Sequence, residues 1–148
     1  MEWRPQFSRR LETLLIVEAS CPADLVPFFE WAIDNARNSP SVRDMAAAAA
    51  IKPRALEYRF AAHRVMRPGK VLWWARILHA VDLLGRTTLT ADDVAMICGY
   101  SSSAVLSKGL RRVGLRVREV RSKDGFRLAL QNFRASLQHG SHGGPTVT

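Results

Sequence analysis

The chain has 148 residues, 47% of them apolar, with a net charge of +9 and a pI near 10.7. Such a composition excludes an intrinsically disordered chain, and the length allows one well-buried core or two small lobes. The apolar runs fall far short of the roughly 20 residues a membrane span needs, and the polar start Met1-Glu2-Trp3-Arg4-Pro5 does not look like a secretory leader, so a cytoplasmic location is expected.

The charge is unevenly spread. Residues 1–40 carry four Arg against six acids, a balance of −2, whereas residues 41–148 carry eighteen Lys and Arg against seven acids, a balance of +11. A polyanion is the natural partner of so basic a surface, and nucleic acid is the commonest one. Cys21 and Cys98 are the only cysteines, and two thiols in unrelated contexts read as reduced packing residues.

Taken in chain order, residues 1–12 give no firm signal. Leu14-Leu15-Ile16-Val17 is a short apolar run that suits either a strand, as the remnant of an α/β unit, or the start of a buried helix. A helix is predicted over about residues 24–37, with Ser20 or Asp24 as N-cap, Pro27 in the first turn and Leu25, Phe28, Phe29, Ala32, Ile33 and Ala36 on its apolar face. Asn38-Ser39-Pro40 ends it.

One pattern then occurs twice. Residues 41–63 and 90–112 each read as a capped short helix, a sharp turn and a second helix. Ser41 with Asp44, and Thr90 with Asp93, have capping-box spacing. Gly99 fills the turn of the second unit. Ala50 fills the matching position of the first, where a left-handed backbone costs about 1 kcal/mol relative to glycine. Between the units, Pro68 opens a helix to Leu84 with Val71, Trp74, Ala75, Leu78, Val81 and Leu84 at helical spacing and Gly85 as C-cap. A helix of that length measures roughly 25 Å. It suits a spacer that places two recognition helices about 34 Å apart, one turn of B-DNA. After Leu110 comes a cationic stretch of Arg111, Arg112, Arg116, Arg118 and Arg121, opposed by Glu119. Helical segments over 115–137 close the fold, with Phe126, Leu130, Phe133 and Leu137 as an apolar stripe. Residues 138–148 are expected to be disordered.

From Ser41 to Arg121 the chain resembles the AraC/XylS-type DNA-binding domain of bacterial transcription regulators. The resemblance is carried by Leu56 and Phe60 closing the first unit, Pro68 opening the linker, Arg76-Ile77-Leu78-His79-Ala80, Val94-Ala95 with Gly99-Tyr100-Ser101-Ser102, and Gly114-Leu115 with Glu119-Val120-Arg121. It departs from the family at Lys52, where a capping Ser is usual, at Leu106 and Leu110, which replace Phe, and at Val117, which replaces Pro. Residues 1–37 are too short for the sensory barrel or receiver that often accompanies this module. The expected architecture is all-α, with two helix-turn-helix subdomains on a linker helix over 38–137 and a short N-terminal segment over 1–37.

In a helix-turn-helix the second helix buries one face and inserts the other into the major groove. With Leu56 and Phe60 inside, Arg54, Glu57, Tyr58 and Ala61 are the base-facing candidates of the first unit. With Leu106, Leu110 and Val113 inside, Ser103, Ala104, Ser107 and Lys108 are those of the second. Arg54 can reach guanine, Glu57 can accept from cytosine or pair with a nearby Arg, and Tyr58 can meet a phosphate or a thymine methyl. Lys52, Ser102, Arg111, Arg112 and Arg116 are phosphate candidates. Arg76 either pairs with Asp82 or Asp44 and holds the units together or reaches a phosphate, and Gly99 is structural. Of Trp73 and Trp74, one is expected in the core and the other partly exposed.

The function expected is a sequence-specific, double-stranded DNA-binding regulator. The alternative is a protein-interaction adaptor that keeps the fold without reading DNA. An aromatic cluster of Trp3, Phe7, Phe28, Phe29 and Trp31 is a candidate docking surface for RNA polymerase or a second copy. His63 and His79 lack the companions of a zinc site, and His139 and His142 read as solvated tail residues. No activated nucleophile, paired carboxylates, metal cluster or phosphate-binding glycine loop points to an enzyme, a cofactor or a small-molecule effector.

Overall fold

The computed structural model describes residues 9–122 and 124–138. Among these residues the chain is all-α: α1 Arg10–Ser20, α2 Val26–Asp34, a 3₁₀ turn Ala36–Asn38, α3 Val42–Ala48, α4 Pro53–Ala62, α5 Pro68–Arg86, α6 Ala91–Ile97, α7 Ser103–Arg112, α8 Val117–Val120 and α9 Gly125–Gln138. Trp3, Phe7, His139 and His142, and the tail expected to be disordered beyond Gln138, lie outside the described residues.

The apolar run at Leu14–Val17 is helical. Thr13, Leu14 and Val17 return every three to four residues and are buried against α2 and α9. The next helix is shorter than predicted and neither Ser20 nor Asp24 caps it. Leu25 is its N-cap, without a side-chain bond, and Pro27 sits in its first turn, where a missing N–H costs nothing. Asp24 is drawn away to the His63 imidazole, 2.8 Å distant. Beyond Asn35 the chain tightens into the 3₁₀ turn, and Ser39 closes that turn in a left-handed conformation at φ 48°.

The linker is not a bare spacer with a unit at each end. From Trp74 to Leu84 every residue of α5 except Arg76 is buried. Ile77, Ala80 and Leu83 lie off the predicted stripe, so the helix is apolar around most of its circumference and must be sheathed. α2 and the 3₁₀ turn, α6 and α8, and α9 supply that sheath. One continuous apolar core therefore runs from Leu14 and Phe29 through Leu56 and Trp74 to Leu106, Phe133 and Leu137. Trp74 lies in it against Phe133, with ring centroids 5.4 Å apart, while Trp73 is half-buried.

α5 also runs past its predicted cap. Gly85 stays helical and the helix ends at Arg86. A Cβ at Gly85 would stand 3.2 Å from the Val120 carbonyl oxygen, so the glycine serves the close approach of α8. The Arg121 guanidinium takes over the end of the linker, donating to the carbonyls of Leu84, Thr87 and Leu89. This residue of the cationic stretch is thus spent on the α5–α6 connection. Phe28 and Phe29 are likewise unavailable for docking. Both are buried against Phe60, with centroids 5.7 and 6.1 Å from it, and so join the N-terminal segment to the first unit.

Candidate nucleic-acid interface

Each unit is built by the same local chemistry. At the start of α3 the Ser41 hydroxyl accepts from the Asp44 amide and the Asp44 carboxylate accepts from the Ser41 amide, at 3.1 and 2.9 Å. Those bonds hold Asp44 below the usual carboxylate range. Thr90 accepts from the Asp93 amide at 3.1 Å, but among the described residues the reciprocal half of the box forms at Ser41 alone. Both turns pass through the left-handed region, at Ala50 with φ 57° and at Gly99 with φ 81°. The two turns therefore share a conformation, and the alanine carries the strain. Each ends in a wide bond back to the first helix, from the Ile51 amide to Ala46 O and from the Tyr100 amide to Ala95 O.

The second helix of each unit buries one face. Leu56 and Phe60 of α4, and Leu106 and Leu110 of α7, are at most 1% exposed. Gly109 is buried where α7 crosses α5, and a Cβ there would meet Ile77 at 3.1 Å. On the outer face of α4, Arg54, Glu57, Tyr58 and Ala61 are all exposed, Tyr58 to 77%. On α7, Ala104 and Lys108 are exposed and Ser103 and Ser107 are half-buried. Ser102 caps α7 by accepting from the Val105 amide at 3.2 Å, and Lys52 occupies the N-cap of α4 without a side-chain bond. Pro53 compensates in part, since proline suits a first helical turn.

The ion pairs sort the cations. Arg9, Arg10 and Arg86 are held by Glu12, by Glu30 and Asp34, and by Asp82, respectively. Among the described residues, Lys52, Arg54, Lys108, Arg111, Arg112 and Arg116 are exposed and have no carboxylate within 4.0 Å. Among the described residues Glu57 has no ion pair either, so none of them makes the pairing with an Arg that its type allows. Unpaired positive charge is thus present on the second helix of each unit, where a phosphate backbone can meet it, and it is carried outside the units as well by Arg118, Arg127 and Arg134.

Arg76 meets neither Asp82 nor Asp44, since those carboxylates serve Arg86 and Ser41. Its guanidinium donates to the Gly99 carbonyl at 3.0 Å and lies 4.7 Å from the centroid of Tyr100. From the other side the Ser39 hydroxyl donates to the Cys98 carbonyl at 3.4 Å. The turn of the second unit is thus gripped by the linker and by Ser39, two residues ahead of the first unit. Sequence alone gave no hint of Ser39 or of the Arg121 carbonyl bridge, whose partners are more than 30 positions distant. The Lys70 ammonium, 4.2 Å from the Trp73 centroid, was missed as well, although a Lys three residues before a Trp on one helix is a readable cation–aromatic pair.

The remaining titratable groups describe a packed interior. Burial pushes the Cys98 thiol up to about 12 and that of Cys21 to about 11, so both stay protonated at neutral pH. Burial pushes Tyr100 up in the same way. The described residues contain no group of three or more His, Cys, Asp and Glu side chains that could hold a metal ion, and no helix among them is long and apolar enough to cross a membrane.

Neither a curated protein nor a solved structure matches the chain. The helix-turn-helix domain family of the AraC type matches residues 45–122, the stretch that spans both units and the linker. That family consists of DNA-binding regulatory domains and not of enzymes. With two capped helix-turn-helix units, their exposed outer faces and their unpaired cations, the chain belongs to the AraC/XylS-type helix-turn-helix family and is a double-stranded DNA-binding transcription regulator.

Proposed function

We propose that the protein reads a specific duplex sequence by inserting α4 and α7 into successive major grooves. The observation that carries this is the matched pair of second helices, each with a buried leucine or phenylalanine face and an outer face on which Arg54 and Glu57, or Lys108, stand exposed with no ion pair among the described residues. Arg54, Glu57, Tyr58 and Ala61 would contact base edges from the first unit, and Ser103, Ala104, Ser107 and Lys108 from the second. The side chains of α7 are shorter, so the first unit carries most of the discrimination. Lys52, Ser102, Arg111, Arg112 and Arg116 would position the protein on phosphates. Selection of duplexes from a random library tests the proposal. Enrichment of a two-part site is expected, and failure to enrich any sequence at moderate salt would reject it.

A second reading draws on α1, where Leu11 and Leu15 are exposed to 70% and 58% on adjacent turns. That surface suits an adaptor contact, with RNA polymerase or a second copy. Sedimentation of the full chain with Leu11→Ser and Leu15→Ser tests the second-copy form. A wild-type dimer lost in the variant supports it, and a monomer in both cases removes it.

A further inference from the structure

α4 carries every base-facing candidate of the first unit, so its orientation decides what those side chains meet. Its first turn is fixed from within the unit, where the Ile51 amide donates to Ala46 O at 3.0 Å just ahead of Pro53. Its far end is fixed from outside. Asp24, in the turn that leads into α2, places a carboxylate oxygen 2.8 Å from His63 Nε2, and His63 is the C-cap of α4. One turn earlier the Arg59 guanidinium lies over the Phe28 ring, 5.7 Å from its centroid. Beside Arg59, Phe60 packs against Phe28 and Phe29 of α2.

These contacts do different work. Phe28, Phe29 and Phe60 are buried, and their packing binds the N-terminal segment to the unit without direction. The Asp24–His63 pair is open to solvent, with side-chain exposures of 55% and 34%, and a pair so placed adds little stability. It is directional, however, because it joins two particular atoms and so sets where the end of α4 lies. At 1.5 Å per residue, His63 and Arg54 are separated by about 13 Å of helix, so a small tilt at one end is a displacement at the other. A binding group left about 1 Å loose by its supporting residues loses function.

We propose that Asp24 and His63 are positioning residues for sequence reading: joined to each other, they hold the far end of α4 so that base discrimination in the first half-site depends on the N-terminal segment. This rests on the two-groove reading above, since only an inserted α4 has a reading to lose. The pair touches no base itself. It acts through the helix that carries Arg54, Glu57, Tyr58 and Ala61, and α7 lies outside its reach.

The test uses the full chain, a duplex carrying the selected site, and two derivatives in which one half-site or the other is scrambled. The ratio of Kd values between derivative and parent measures discrimination at each half-site, and the Arg54→Ala variant identifies the half-site that α4 reads. A change of charge or a partly unfolded sample alters binding to all three duplexes alike, so neither moves the ratios. Asp24→Ala is expected to lower discrimination severalfold at the first half-site and to leave the second as in wild type. His63→Ala is expected to do the same, and the double variant to lose no more than either single one, because one contact is removed in all three. Asp34→Ala, which frees the exposed Arg10 partner on the same helix, is expected to keep both wild-type ratios. Thermal melts close to that of the wild type are expected for every variant. Wild-type discrimination at the first half-site in both Asp24→Ala and His63→Ala overturns the positioning role while leaving the two-groove reading intact. An equal loss at both half-sites overturns it too, as general loosening of the fold. Absence of any preferred sequence for the wild type overturns the two-groove reading first, and the positioning role with it.

Discussion

Gly99→Ala is the sharpest probe of how the second unit is held to the rest of the fold. The residue sits at φ 81°, and a side chain there costs about 1–2 kcal/mol by backbone strain alone. The new Cβ would also stand 1.9 Å from Ser39 Oγ and 3.2 Å from Ser39 Cβ. Ser39 must then turn away and release the Cys98 carbonyl, at about 1 kcal/mol for a partly buried bond. The two effects give a loss of about 2–3 kcal/mol, read as a lower urea midpoint by tryptophan fluorescence. Ser39→Gly removes the colliding atoms and relaxes its own φ of 48°. In that background Gly99→Ala should cost only the strain, leaving a coupling of about 1 kcal/mol in the double-mutant cycle. Additive losses, or a Gly99→Ala cost below about 0.5 kcal/mol, would refute the picture of a turn clamped from both sides.

Ala50→Gly, the same turn position in the first unit, should shift stability the opposite way. Relief of its left-handed strain exceeds the extra entropy of an unfolded glycine, and a gain of about 0.5 kcal/mol in the same urea assay is expected. His79 is buried and its pKa is pushed down to about 4, chiefly by desolvation. The unfolded chain binds its proton near pH 6.5, so stability is complete above that pH and falls as the pH drops from 6.5 towards 4, by on the order of 3 kcal/mol in total. A His79→Leu variant whose pH dependence matches the wild type across that window would contradict this. On DNA, Arg54→Ala should relax sequence preference at a cost of about 1–3 kcal/mol at the preferred site. Arg112→Ala should weaken all sequences alike and lower the salt slope by about one. Equal behaviour of the two variants in mobility shifts would reject that division of labour.

The twin units were legible in the sequence because local chemistry dictates them. A capping Ser or Thr and an apolar pair four residues apart sit within one short window of each, and the second adds a turn glycine suited to positive φ. The Leu14–Val17 run was not decidable on its own, since four apolar residues fit either period. Its helix is chosen by burial of Thr13, Leu14 and Val17 against partners far along the chain. Phe28 and Phe29 looked like a surface because the residue that covers them, Phe60, belongs to another unit. Arg76 announced a structural task by standing in an apolar helix, but its true acceptor, the carbonyl of a turn glycine, carries no side-chain signal. The same holds for Arg121, which satisfies three carbonyls at the end of α5. Contacts made to the backbone across long sequence separations are what a single sequence conceals.

A spacer series measures the paired insertion of α4 and α7 most directly. With the two selected half-sites about one helical turn apart, affinity should be highest, and an insertion of about five base pairs should turn one half-site to the opposite face and leave only the binding of a single unit. Recovery is not expected at a full added turn, because the sheathed linker cannot lengthen. Affinity indifferent to the spacing would contradict two recognition helices held on one rigid core.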